Sequence, residues 1–400
     1  MLGEGEKMSV TRRQFGGLLG ASIGNIALRG YAAQSKENVY FSHGVASGDP
    51  LQNRVILWTR VIPGDTVSRR IDLKWEVSTN NRFTNVISKG QAFADPSTDF
   101  TVKVDAQGLK PFQKYFYRFL AEDVYSCIGM TKTLPMGDVN QFRIGIASCS
   151  NFPQGYFNAY HDMVAQDLDL VLHLGDYIYE YPDGEYANEE ALDRLNRHVR
   201  PTHEILTLDD YRTRYGLYRS DEHLQTVHQR HPFICIWDDH ELTNDTWRTG
   251  AENHNEGEGD FLTRIRAARQ AYHEWMPIRT HSSGNQGPIY RSFKIGDLAD
   301  LIMLDTRFHG RDRGLNYHED ISLLMQWFDK SDQSNIRKIT WEEANLLPQS
   351  SRELLKLPFD YSGDKPLSTL DYNALKKLSI ESMGDEWVHQ SDLKTFESEI

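Results

Sequence analysis

Cysteine is scarce: Cys127, Cys149 and Cys235 are the only three in 400 residues. An odd, small number excludes a disulfide-stapled scaffold and leaves at least one thiol to be explained by packing or chemistry. Positive charge is also short, with 44 Lys and Arg against 57 Asp and Glu and a formal net charge of −13. That balance argues against nucleic acid or an anionic membrane surface as a partner. Long hydrophobic runs are missing too. The most conspicuous apolar segment, GGLLGASIGNIAL, is glycine-rich and well short of the roughly 20 residues a spanning helix needs, so no stable membrane anchor is expected. No internal repeat or low-complexity tract is present. What is there, 39% hydrophobic and 25% charged residues, is globular composition, enough for two or three domains with cores of their own.

The N-terminus reads TRRQF, then the short apolar segment, then Arg29 and GYAAQS. A twin arginine before a weakly apolar stretch, with small residues near 30–33, resembles a twin-arginine export signal. Residues 1–33 are therefore expected to be a signal peptide read by the twin-arginine translocation machinery, which places the protein in the periplasm or outside the cell. That route carries folded proteins, so a cofactor can be inserted before export.

Residues 38–136 have the pattern of a β-sandwich. VILWTRV, DLKWEVST, FTVKVDA, KYFYRFLAE and SCIGMTKTL are short strand-like stretches, separated by turn signals such as GDP, PGD and TNN. LKPFQKYFYRF looks like the equivalent stretch of fibronectin-type modules, and PMGDVNQ at 135–141 serves as a linker. The texture then changes. FRIGIASCS reads as a buried strand, YFNAYHDMVAQ as a helix and LDLVLHLGD as a second buried strand, a β-α-β unit. Residues 208–230 read as one helix, FICIWDDHE as a third strand, 261–276 as a helix stopped by Pro277, and 290–307 as a hairpin. Beyond about residue 311, LNYHEDISLLMQWF and RKITWEEANLLPQSSRELLKL are expected to be helical.

Three strand ends carry the chemistry. ASCS offers Cys149, GDYIYE offers Asp176 and Tyr179, and WDDHELTND offers Asp238, Asp239, His240 and Asn244. Open α/β folds bind ligands at the carboxyl ends of neighbouring strands. Thiolate and phenolate suit a ferric or similar transition metal, whereas carboxylate and amide oxygens suit hard divalent ions. Taken singly, each has a plainer reading: a packed cysteine, an anchored loop tyrosine, a helix cap with an ion pair. Their joint order and spacing favours chemistry.

GVASGDPLQNRVILWTRV, IASCS, HLGDYIYE, YRTRYGLYR, WDDHELTND and LIMLDTR together resemble the alkaline phosphatase D family of metallophosphoesterases, over about residues 10–313. The resemblance implies an α/β (α+β) fold: an N-terminal fibronectin- or Ig-like β-sandwich joined to a calcineurin-like domain, residues 140–400, with two packed sheets flanked by helices. It implies hydrolysis of phosphomonoesters or phosphodiesters by attack of a metal-activated hydroxide, with Fe3+ and Ca2+ as cofactors. By that resemblance Cys149 and Tyr179 are iron ligands and Asp176 bridges iron and calcium. Asn244 and Asp239 stand on the calcium side, and His240 contacts the phosphate or protonates the leaving group. Arg307 and the arginines of YRTRYGLYR are candidate phosphate clamps, more readily read as structural ion pairs.

The family continues to a later strand ending in a GDxH-like segment that supplies further ligands. No such segment is found between residues 311 and 400; MGDEWVHQ at 383–390 has GD without the strand or the spacing. Residues 314–400 are therefore unassigned, and the C-terminal part of the domain is expected to be missing or divergent. Two alternatives follow: a catalytically inactive, truncated member, and a phospholipase D-like phosphodiesterase on the same fold. A monomer is the default expectation.

Overall fold

The computed structural model describes residues 39–64, 69–280, 284, 287–314, 325–356 and 372–383. The expected export signal lies outside these residues. The chain divides into two compact units at residues 312/313.

The first unit is built on a six-stranded sheet in the order Ile144–Ala147, Leu170–His173, Pro232–Cys235, Val45–Gly48, Arg54–Arg60, Thr101–Gln107. The first four strands run parallel, and the last two are antiparallel. A second sheet orders Gly129–Lys132, Lys114–Ala121, Ile71–Ser78 and Val86–Ala94, with Val124–Tyr125 paired to Lys114–Ala121. Val55, Leu57 and Val102 of the first sheet pack with Leu73, Val77, Tyr117 and Phe119 of the second, forming the expected sandwich core. The sandwich is not set apart, however. Val45–Gly48 pairs in parallel with Pro232–Cys235, so one sheet runs across the linker expected at 135–141.

This continuity explains why VILWTRV opens with four apolar residues in a row rather than alternating. Val55 and Leu57 face the sandwich core, while Trp58 belongs to a different core and donates its indole N–H to the Glu274 carbonyl at 2.8 Å. A strand buried on both faces reads as a continuous apolar run. The second core gathers Leu170, Val171, Phe233 and Ile234 of the parallel strands with Tyr211, Tyr215, Tyr218, Ala268, Tyr272 and Trp275 of the helices.

The helices Asn158–Ala165 and Phe261–Trp275 fall where the apolar spacing puts them. The single helix expected over 208–230 is two, Leu208–Tyr218 and Glu222–Arg230. The break has a local cause: Asp221 is an N-cap whose carboxylate accepts from His223 N and Leu224 N. The expected hairpin is present as Arg291–Ile295 and Ala299–Met303.

The second unit corrects the expected helices. Met325–Asp329, Arg337–Ile339 and Arg352–Lys356 form an antiparallel three-stranded sheet, and among the described residues of those two stretches only Trp341–Asn345 is α-helical. Thr340 and Glu343 make a reciprocal capping box that starts this helix. The Leu- and Glu-rich stretch after Pro348 takes up cross-strand pairing with the aromatic MQWFD strand, which overrides its helical propensity. Phe328, Leu355 and Leu375 form the core of this unit, the last from the helix Tyr372–Met383. Residues 315–324, and most of MGDEWVHQ, lie outside the described residues.

Candidate metal centre

Parallel pairing of Ile144–Ala147, Leu170–His173 and Pro232–Cys235 brings their three carboxyl ends to one edge of the sheet. The chain leaves those ends in strained conformations. Cys149 has φ 55° and Asp176 φ 56°, left-handed values that non-glycine residues seldom adopt. The two turns hold each other: Cys149 N donates to the Gly175 carbonyl at 3.1 Å, and Ser150 N to the Asp176 carbonyl at 3.0 Å. Gly175 is required here. A Cβ on it would stand 2.2 Å from the amide nitrogen of Asp238 on the neighbouring turn.

Asp176, Asp239 and His240 each present one ligand atom within 4.8 Å of the others. The Tyr179 hydroxyl donates to Asp176 Oδ2 at 3.2 Å, and the Cys149 thiol stands on the adjoining turn, near enough for the Asp176 charge to act on it. Four of the six expected residues, Asp176, Tyr179, Asp239 and His240, therefore meet, and a fifth, Cys149, is held on the adjoining turn by its backbone bond to Gly175. The sixth, Asn244, is tied to the same loops, but its amide nitrogen donates to Glu252 at 2.8 Å and its backbone N–H to Glu180 at 2.7 Å. Asp238 forms a two-bond pair with Arg307, at 2.5 and 3.2 Å, and Arg307 also reaches Asp245 at 3.1 Å. Arg307 is thus committed to carboxylates. Arg212 pairs with Glu274, and Arg214 donates to the carbonyls of Tyr179, Tyr181, Arg200 and Pro201. Both act as structural groups, Arg214 by fixing the backbone on either side of Glu180.

Two carboxylates that the strand-end pattern did not single out organise the site. Glu241 is fully buried and accepts three backbone N–H groups, Asp176 and Asp238 at 3.0 Å and Tyr177 at 2.8 Å. It thereby ties the Asp176 turn to the Asp238 turn. Glu180, also fully buried, accepts His240 Nδ1 at 2.7 Å and Asn253 Nδ2 at 2.9 Å as well as the Asn244 amide. With Nδ1 engaged, Nε2 is the nitrogen of His240 left for chemistry. The signal for both was present in the sequence: an acid embedded in YIYEY and another in DDHEL, each inside an otherwise buried stretch.

The electrostatics are those of a site crowded with one sign of charge. Burial, then the neighbouring Asp239 and Asp238, raises the Asp176 carboxyl, though His240 opposes the shift. Burial also raises Asp239, Cys149 and Tyr179, the last reinforced by Asp176 and Cys149. Burial raises Glu241, against the pull of its three backbone N–H partners. Burial acts against the charge of His240, but the Glu180 hydrogen bond, with Asp176 and Asp239, outweighs it and lifts the imidazole to about 9. Glu180 goes the other way: its burial is outweighed by His240, which leaves it below the usual carboxylate range.

These donors fit a cation. Asp176 Oδ1 is buried without a hydrogen-bond partner, and a buried carboxylate oxygen needs a proton, a donor or a metal. A thiol and a phenol beside that carboxylate supply the softer donors a ferric ion takes.

Comparison with known proteins places the chain in a family. Residues 144–351 match the PhoD-like phosphatase family, and residues 26–135 match the PhoD-like phosphatase N-terminal domain. The chain is 41% identical over 295 residues to alkaline phosphatase D of Bacillus subtilis (strain 168), covering 71% of this chain and 50% of that protein. A solved structure titled "Structure of PhoD" superposes with a TM-score of 0.62 at 40% identity, covering 67% of this chain and 52% of that one. The chain thus spans about half the length of these relatives. With a family match over more than half of its residues, and 41% identity to a relative over 71% of its length, the chain belongs to the PhoD-like phosphatase family.

Proposed function

We propose that the protein is an exported phosphoester hydrolase that uses iron and calcium. The observation that carries this reading is the meeting of Asp176, Asp239 and His240, with Tyr179 on the Asp176 carboxylate and Cys149 on the adjoining turn, in a chain of this family. Cys149 and Tyr179 would hold iron, Asp176 would bridge, and Asp239 with Asn244 would face calcium. When bound, such ions supply positive charge that polarises a phosphate ester and acidifies a water molecule.

The protein's own groups do the rest. In the metal-free chain Glu180 favours the protonated form of His240 and engages its Nδ1, which leaves Nε2–H as the proton to donate. From there the imidazolium hydrogen-bonds a phosphate oxygen, or passes its proton to the leaving oxygen as the P–O bond breaks. Glu241 holds the two carboxylate turns at a fixed separation, so the charge around the phosphate is organised before substrate arrives.

Hydrolysis of p-nitrophenyl phosphate and of bis-p-nitrophenyl phosphate tests the reading and separates monoester from diester preference. Chelator-sensitive release of p-nitrophenol, lost in Tyr179→Phe, is expected. Protein that takes up metal and hydrolyses neither would be a catalytically silent member of the family. Export is tested by fusing residues 1–40 to a reporter and asking whether its transport depends on Arg12 and Arg13.

A further inference from the structure

Beside His240 stands a second surface that the hydrolytic reading does not use. The ring of Tyr186 lies 5.6 Å from that of Tyr179, 5.6 Å from Tyr181 and 6.5 Å from the His240 imidazole, and is inclined only 22° to the imidazole plane. Tyr181 in turn lies 5.4 Å from His240. Three tyrosine rings thus surround the imidazole, and Tyr186 forms the outer one, 60% exposed.

The exposure is built into the fold. Tyr186 has φ 45°, a backbone conformation that costs a bulky side chain on the order of 1 kcal/mol or more and persists only when its surroundings impose it. They do so here. Asn151 Nδ2 and Gln154 Nε2 both donate to the Tyr186 carbonyl, at 2.8 and 2.9 Å. Asn151 is fixed from behind by the buried Tyr218 hydroxyl at 2.9 Å. These clamps come from the segment that follows Cys149, so the ring is positioned by the same turn that carries a proposed metal ligand.

We propose that Tyr186, backed by Tyr181, is a stacking subsite for a planar aromatic group of the phosphate ester, either an aryl ring or a nucleobase. The proposal rests on the phosphohydrolase reading, because that reading puts the phosphate beside His240 and its ester substituent over the neighbouring ring. Offset stacking on a tyrosine is favourable for any flat π-system and needs no hydrogen-bond code.

The test is equilibrium binding to the purified full chain with iron and calcium added, measured by calorimetry. The probes are inorganic phosphate, methylphosphonate and phenylphosphonate, whose P–C bonds are not hydrolysed. Phenylphosphonate is expected to bind about tenfold more tightly than methylphosphonate. Tyr186→Ala is expected to abolish that ratio while methylphosphonate binding stays unchanged, and Tyr186→Phe to keep it. Equal binding of the two phosphonates, or a ratio that survives Tyr186→Ala, overturns the subsite. If inorganic phosphate itself does not bind, the hydrolytic reading fails and the subsite fails with it, so the two failures are told apart.

Discussion

Glu241 and Glu180 carry more of the site than their positions suggest, because each is a buried acid with several donors converging on it. Glu241→Gln keeps the shape but replaces one acceptor oxygen with an NH2 group that faces a backbone N–H. It is expected to cost about 2–4 kcal/mol in a urea melt, and to weaken iron binding more than its effect on folding accounts for. A variant that melts like the parent and binds iron equally well would remove Glu241 from the account. The His240–Glu180 pair sets a pH dependence. His240 rises to about 9 in the fold from an ordinary 6.5, so its contribution is fully present below pH 6.5 and is lost as pH climbs from there through 9. In metal-free protein that loss is at most about 3 kcal/mol, read as falling stability across this window in denaturant titrations. Glu180→Gln should flatten the profile. The metal-ligand candidates were legible as residues, since an aspartate, a tyrosine and a cysteine at strand ends are a distinctive set. The two organising glutamates were less so. Their role is to receive backbone N–H groups from turns distant in sequence, and side-chain chemistry does not show that pattern.

At the scale of elements, three parallel strands and the turns that leave them make the site. Gly175 has φ 111° and lies against the Asp238 turn, so Gly175→Ala forces the two carboxylate turns apart. It is expected to lower the melting temperature by several degrees and to reduce metal uptake, whereas Gly184→Ala, strained by its φ of 89° but with open space around its Cβ, should cost stability and leave metal uptake unchanged. Equal metal uptake in both variants would contradict the view that close approach of these turns creates the site. The strands themselves were readable, because Leu170–His173 and Pro232–Cys235 are short apolar runs that end in polar groups. The 208–230 stretch misled because its composition stays helical across Ser220 and Asp221, and only the capping carboxylate marks the restart. The strands at Arg337–Ile339 and Arg352–Lys356 misled more deeply. Their helical composition is overridden by pairing to Met325–Asp329, a contact that no local window contains.

At the scale of the whole molecule, the six-stranded sheet joins the N-terminal sandwich to the strands that bear the site. Besides the Val45–Gly48 pairing, Arg291 reaches the fully buried Asp49 at 2.6 and 2.9 Å, and Trp58 lies in the second core. A chain beginning at residue 140 is therefore expected not to fold: it should lack a cooperative thermal transition by circular dichroism. A soluble, cooperatively melting fragment would show that the sheet is divisible at the linker. The sandwich was legible as an all-β region with turn signals at regular spacing. Its continuity with the parallel strands was not, because parallel pairing between residues 45–48 and 232–235 leaves no mark on either segment. The central claim, that Cys149, Asp176, Tyr179, Asp239 and Asn244 hold metal beside His240, is tested most directly by elemental analysis of the purified chain beside its Asp176→Asn variant. The account predicts iron and calcium in near-stoichiometric amounts in the parent, and both largely lost in the variant. A parent without metal, or a variant that retains both ions, would contradict it.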